Sequence, residues 1–143
     1  MLVTGGTFDL LHFGHVLHLR TCAGIAGGLD RVSILLVTDQ WAKERKGELR
    51  TIITYDERVE MLVALGITRE NIYSVNSPEE VLKKVELLSP DIYIYEYSTN
   101  ASAHDLVIAW AKGKKVALIN LGKEPLNPFG TSTSKLIERI RSD

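Results

Sequence analysis

His12 and His15 stand three residues apart behind a glycine pair, in the run Gly5-Gly6-Thr7-Phe8-Asp9-Leu10-Leu11-His12-Phe13-Gly14-His15. That spacing is close to one helical turn, so both imidazoles can lean over one site. The glycines before them let a backbone approach a ligand with no side chain in the way. Amides near Gly14 and His15, at the start of the helix that follows, lack partners inside it and carry partial positive charge. Together these features describe an anion site best suited to phosphate. The bland alternative is a strand-to-helix turn whose histidines merely sit at its edge. A metal site from His12, His15 and His18 is a third reading, but steps of three drift around a helix and no Cys or carboxylate lies at a matching offset.

Two further stretches could carry chemistry. The polar segment Asp39 to Thr54 holds Lys43, Lys46 and Arg50 around Gly47. Charge runs are usually solvated loops, yet this one follows a strand whose carboxyl end lies on the edge carrying the histidine turn. A phosphate-bearing anion entering a cleft needs fixed cations to offset its lost hydration. Near the other end of the chain, Gly130-Thr131-Ser132-Thr133-Ser134 opens a helix. One hydroxyl would cap it; the spare hydroxyls and free amides of Thr131, Ser132 and Thr133 can hold phosphates. Tyr95 and Tyr97 could stack on a base, or share a core face by strand alternation.

The elements that must position these groups alternate along the chain. Met1-Leu2-Val3 is a short strand, and Val16-Leu17-His18-Leu19 has helical periodicity. Arg31 to Thr38 is a near-continuous apolar, β-branched run, as in a central parallel strand. Tyr55–Leu65 is helical with Gly66 as its stop, Asn71–Val75 is a strand, and Pro78–Leu88 is a helix with proline in its first turn. Asp91–Tyr95 and Val116–Ile119 are strands flanking a helix over Ala101–Lys112, and a last helix covers Lys135–Arg141. This order predicts an α/β fold: one Rossmann-like, doubly wound, parallel five-stranded sheet in a single domain over residues 1–143, with its switch point beside the first strand.

Composition sets the limits. A chain of 143 residues, 45% hydrophobic, suits one domain with a real core, and seventeen basic against eighteen acidic side chains give no bulk attraction to nucleic acid or a membrane surface. The lone Cys22 falls in the first helix and reads as a buried thiol. No apolar run reaches membrane-spanning length and the first strand begins at once, so a cytoplasmic location is expected.

Read as Gly6 to His15, G-T-F-D-x-x-H-x-G-H resembles the signature of the cytidylyltransferase-like nucleotidyltransferases. These join a nucleoside monophosphate from CTP or ATP to a phosphorylated small molecule and release pyrophosphate. The resemblance implies His12, His15 and Lys46 as catalytic residues. It implies Thr7, Phe8, Gly14, Thr131, Ser132 and Thr133 at the nucleotide phosphates, and Asp9 and Arg58 at the substrate. Lys46-Gly47 fits a family K-G pair, Arg58 the arginine of a following helix start, and Gly130–Ser134 the family's C-terminal hydroxyl motif. Mg²⁺ with the nucleotide and a homodimer are also implied, the latter pairing through Trp41, Ile52 and Ile53. Alternatively, those three cover the domain's own core and nucleotide site. The favoured reaction is CMP transfer to glycerol 3-phosphate or a similar acceptor. ATP with FMN or a sugar phosphate is the alternative, and a non-catalytic nucleotide-binding protein is the rival. Two departures stand out: Asn127-Pro128-Phe129 replaces an arginine-bearing pattern, and Tyr95 to Asn100 replaces a glycine–aspartate loop.

Overall fold

A computed structural model describes residues 1–96, 100–122 and 132–142. Five strands, β1 (Leu2–Gly6), β2 (Val32–Val37), β3 (Ile72–Val75), β4 (Ile92–Tyr95) and β5 (Ala117–Asn120), form one parallel sheet in the order β3-β2-β1-β4-β5. The helices are α1 (Phe13–Ala26), α2 (Asp39–Lys46), α3 (Tyr55–Leu65), α4 (Pro78–Leu88), α5 (Ala101–Ala111) and α6 (Thr133–Ser142). The expected doubly wound sheet is therefore present. The chain leaves β1 toward β2 on one side and returns to β4 on the other, which puts the switch point at β1.

Strand alternation explains why both faces are buried. Val3, Leu35, Val37 and Tyr93 point into one core with Val85 and Val107 from α4 and α5. Leu2, Ile34, Leu36 and Ile94 point into the other, with Leu19 and Cys22 of α1 and Leu62 of α3. Every residue of β2 is buried, Ser33 included, as its near-continuous apolar run leads one to expect. Cys22 is buried and free.

The structure departs from the sequence reading in two places. β1 continues through Gly5 and Gly6, paired with Leu35 and Leu36. The polar segment after β2 begins as a helix, capped by the Thr38 hydroxyl on the Trp41 amide. That helix presents only Trp41 and Ala42 inward, too few apolar positions to show a period. Trp41 is 5% exposed and packs with Leu35, Val37 and Val75, so it belongs to the domain's own core and offers nothing to a dimer interface.

Candidate active site

The turn between β1 and α1 is held by its own side chains. His12 is the N-cap of α1: its Nδ1 accepts from the Gly14 amide at 3.0 Å, while the His12 amide donates to His15 Nδ1 at 3.2 Å. This is a capping box made from two histidines instead of a hydroxyl and a carboxylate. Both rings thus use Nδ1 as acceptor, so in the neutral form each carries its proton on Nε2. The rings stack with centroids 3.9 Å apart and 29° between planes. Burial, and then the neighbouring charges of His12 and His18, push the His15 pKa down to about 3, against a smaller opposing pull from Glu96. Burial also lowers His12, again opposed by Glu96. Near neutral pH the pair is two uncharged N–H donors.

Several residues assigned to ligand contact serve the protein itself. The Gly14 amide is taken by His12. A Cβ on Gly6 would meet the Phe8 ring at 3.0 Å, and one on Gly5 would meet the Leu35 carbonyl at the same distance. The glycines thus make room for neighbouring protein atoms. Phe8 is 4% exposed, its ring 5.3 Å from that of His15, so it is a wall behind the imidazoles. Phe8 and Leu10 both have positive φ, at 52° and 49°, a strained conformation for side-chain-bearing residues that the surrounding contacts must impose.

Asp9 and Arg58 are the clearest corrections. Asp9 is 1% exposed, and its carboxylate accepts from the amides of Ile52 and Ile53 at 2.9 and 2.8 Å. Its carbonyl accepts from the Thr133 hydroxyl at 2.6 Å. It therefore ties the turn to the segment after α2 and to the start of α6. Arg58 is fully buried. Its guanidinium donates to the carbonyls of Ile53, Thr7 and Val37 at 3.1, 2.6 and 2.8 Å and to Asp39 Oδ1 at 2.7 Å. Burial works against the Asp39 charge. Hydrogen bonds from Thr51, the Tyr55 amide and Arg58 still hold its pKa below the usual carboxylate value. Both charged residues face backbone rather than substrate because that backbone leaves buried carbonyls and amides that need partners.

Around this frame the cations gather. Arg50 is 9% exposed and lies 3.5 Å from Asp9 Oδ2, but its buried Nε makes no hydrogen bond among the described residues. Lys46 stays on the surface. Partial desolvation and then the charges of Arg50 and Arg45 keep its pKa below the ordinary lysine value, with Asp9 opposing. Arg45 lies over the Trp41 ring at 5.6 Å. Three cations crowd one another here, with Asp9 as a counter-charge only to Arg50 and Lys46, and such an excess is relieved by an anion.

At α6, the Ser132 hydroxyl caps the Lys135 amide and Thr133 is 9% exposed, bonded to Asp9. The two hydroxyls read as phosphate ligands are therefore already engaged in positioning the helix. Thr131, Tyr97 and the Asn127–Gly130 stretch lie outside the described residues. Among the described residues no group of three His, Cys, Asp or Glu could hold a metal ion, and no helix is long and apolar enough to cross a membrane.

The sequence reading weighed His18 only as a metal ligand and did not pair it with Glu96. His18, 6% exposed on α1, meets Thr4 of β1 at 2.7 Å and Glu96, just beyond β4, at 3.2 Å. The available signal was a third histidine three residues after His15, followed far downstream by a carboxylate closing an apolar strand.

Comparison with known proteins bears on the family and the fold. A family model described as Cytidylyltransferase-like matches residues 3–139. The bifunctional protein HldE of Citrifermentans bemidjiense is 34% identical over 99% of this chain and 27% of its own length. The HldE of Bradyrhizobium sp. is 32% identical over 98% of this chain and 26% of its own. The chain thus spans about a quarter of these curated relatives. The fold matches a lipopolysaccharide core biosynthesis protein from Thermoplasma volcanium with a TM-score of 0.62 at 19% identity, covering 86% of this chain and 96% of that one. It also matches a protein of unknown function from Archaeoglobus fulgidus, with a TM-score of 0.63 at 18% identity over 84% and 87% of the two chains.

Proposed function

Since the chain belongs to the cytidylyltransferase-like family, a family of nucleotidyltransferases, we propose that it transfers a nucleotidyl group from CTP or ATP to a phosphorylated small molecule. The acceptor's phosphate oxygen attacks the α-phosphorus and forms a new P–O bond. The bond from the α-phosphorus to the oxygen bridging it to the β-phosphorus breaks in line, and pyrophosphate leaves with the electron pair. A phosphate is already an anion at neutral pH, so no strong base is needed. Catalysis rests on positioning and on donors aimed at charge that develops on the phosphoryl oxygens.

The observation that carries this reading is the histidine pair, stacked and locked with both Nδ1 atoms on backbone amides, leaving two Nε2–H groups for phosphate oxygens. Lys46 and Arg50 receive the acceptor phosphate or the departing pyrophosphate. Mg²⁺ arrives on the nucleotide as part of the substrate. Glycerol 3-phosphate with CTP is the first pair to test. ATP with a sugar phosphate or FMN is the second. The same reading includes a homodimer, its contact resting on Ile52, which is 48% exposed, and Ile53. Sedimentation giving only a 15.9 kDa species would remove it.

The test has two stages. MgCTP or MgATP at millimolar concentration should raise the melting midpoint, because a ligand that binds only the folded state stabilises it. Pyrophosphate should then appear only when a matching acceptor is added. Stabilisation without turnover on any acceptor would favour the non-catalytic nucleotide-binding protein, and no stabilisation by either nucleotide would defeat both readings.

A further inference from the structure

His18 lies beneath the phosphate-facing histidines, and its hydrogen bonds determine its protonation. The Thr4 hydroxyl has one proton, and it goes to the Ile94 carbonyl at 2.7 Å. Toward His18 Nε2, at 2.7 Å, Thr4 can therefore only accept, which requires a proton on Nε2. The other ring nitrogen, Nδ1, faces Glu96 Oε1 at 3.2 Å. Glu96 is held as an anion, its pKa lowered by the hydrogen bond to His18 although burial opposes this. A carboxylate only accepts, so Nδ1 carries a proton as well. A ring that donates from both nitrogens is an imidazolium.

We propose that His18 is a positioning residue that works as an imidazolium at neutral pH, anchoring the start of α1 to β1 and β4 and keeping His15 a neutral donor. The role in catalysis rests on the nucleotidyl-transfer reading above; the charge state does not. The groups that face His18 among the described residues are Thr4 from β1, Glu96 beyond β4, and His15 and Cys22 on its own helix. The edge of the Phe8 ring stands 6.0 Å away. Burial disfavours the His18 charge, but contacts with Cys22 and Glu96 outweigh it and raise the pKa to about 9. The His18 charge in turn contributes to keeping His15 unprotonated. A phosphate site gains from this arrangement. The His18 cation, with Glu96 as its counter-ion, lies one helical turn along α1 from His15, and the two histidine donors need no proton from solvent.

The test is a ring-nitrogen NMR titration of the ligand-free chain, which depends on no substrate. In the wild type, His18 should show two protonated nitrogens at pH 7.5 and titrate near pH 9, while His15 stays neutral with its proton on Nε2. Glu96→Gln should lower the His18 titration by about one to three units, the usual effect of removing a neighbouring opposite charge. His18→Gln should raise the His15 titration. A singly protonated His18 at pH 7.5 would overturn the proposal, as would a His18 titration unmoved by Glu96→Gln. If His18→Gln does not fold, the wild type and Glu96→Gln still decide the matter. Should these titrations behave as expected while no nucleotide binds, the charge assignment stands and the transferase reading alone falls.

Discussion

The turn between β1 and α1 is braced on each side by a buried charge, and the two braces are built differently. On the β2 side Arg58 uses a guanidinium, charged at any ordinary pH, to satisfy three carbonyls and Asp39. On the β4 side His18 makes two contacts, and both depend on a proton it can lose. The first brace is a fixed frame: it holds Thr7, Ile53 and the end of β2 in one geometry whatever the medium. The second is a frame whose strength follows pH. A charged residue beside a phosphate turn is therefore not automatically a phosphate ligand, because buried backbone competes for the same charge.

The largest effect should come from breaking the fixed brace. Arg58→Leu leaves one buried carbonyl, two part-buried ones and Asp39 without their donor and should cost about 3–5 kcal/mol, read as a lower urea midpoint. Arg58→Lys should recover little of that, since a single ammonium cannot reach four acceptors in a fork. If Arg58→Leu instead kept full stability and lost only turnover, Arg58 would be a substrate ligand and the comparison would fail.

This is also where the sequence was least informative. The strand order and the histidine turn were legible because apolar runs and fixed spacings report directly on sheet and helix. Asp9 and Arg58 were legible as important but not as structural: a carboxylate that binds two amides of the next loop has the same sequence signature as one that binds a ligand. Only burial separates the cases. α2 was missed because just Trp41 and Ala42 of its residues are buried. His18 and Glu96 were invisible as a pair because 78 residues separate them and only the β1–β4 pairing brings them together.

Next in size is His15→Ala. Loss of one transition-state donor should lower turnover about a hundredfold. The cap it supplies to the His12 amide should cost about 1 kcal/mol of stability. Comparing pyrophosphate release with the denaturation midpoint separates the two, and near-native turnover would remove His15 from catalysis.

A further effect distinguishes the braces by pH. His18 has a raised folded pKa, so its contribution is complete below the unfolded value near 6.5 and is lost as pH rises through about 9. His15 has a lowered folded pKa, so the unfolded chain takes up a proton first and stability falls as pH drops from 6.5 toward about 3. Melting midpoints across pH should peak between these limbs, and His18→Gln should flatten the alkaline one. An alkaline limb unchanged in that variant would deny the proton-dependent brace.

The smallest effect concerns the far end of the chain. Thr133→Val removes the hydroxyl bond to the Asp9 carbonyl and should cost about 1 kcal/mol, while Thr133→Ser should keep most of it. Equal losses in both variants would mean that the methyl group, not the hydrogen bond, ties α6 to the turn.

The central claim is that an acceptor phosphate, received beside two neutral histidine donors, attacks the α-phosphorus of a nucleotide. It is tested most directly by supplying an acceptor labelled with ¹⁸O in its phosphate, together with MgCTP or MgATP, and following ³¹P NMR. The account predicts a new phosphoanhydride with labelled oxygen bridging its two phosphorus atoms, and pyrophosphate that carries no label. Label appearing in pyrophosphate, or product whose bridging oxygen is unlabelled, would contradict it.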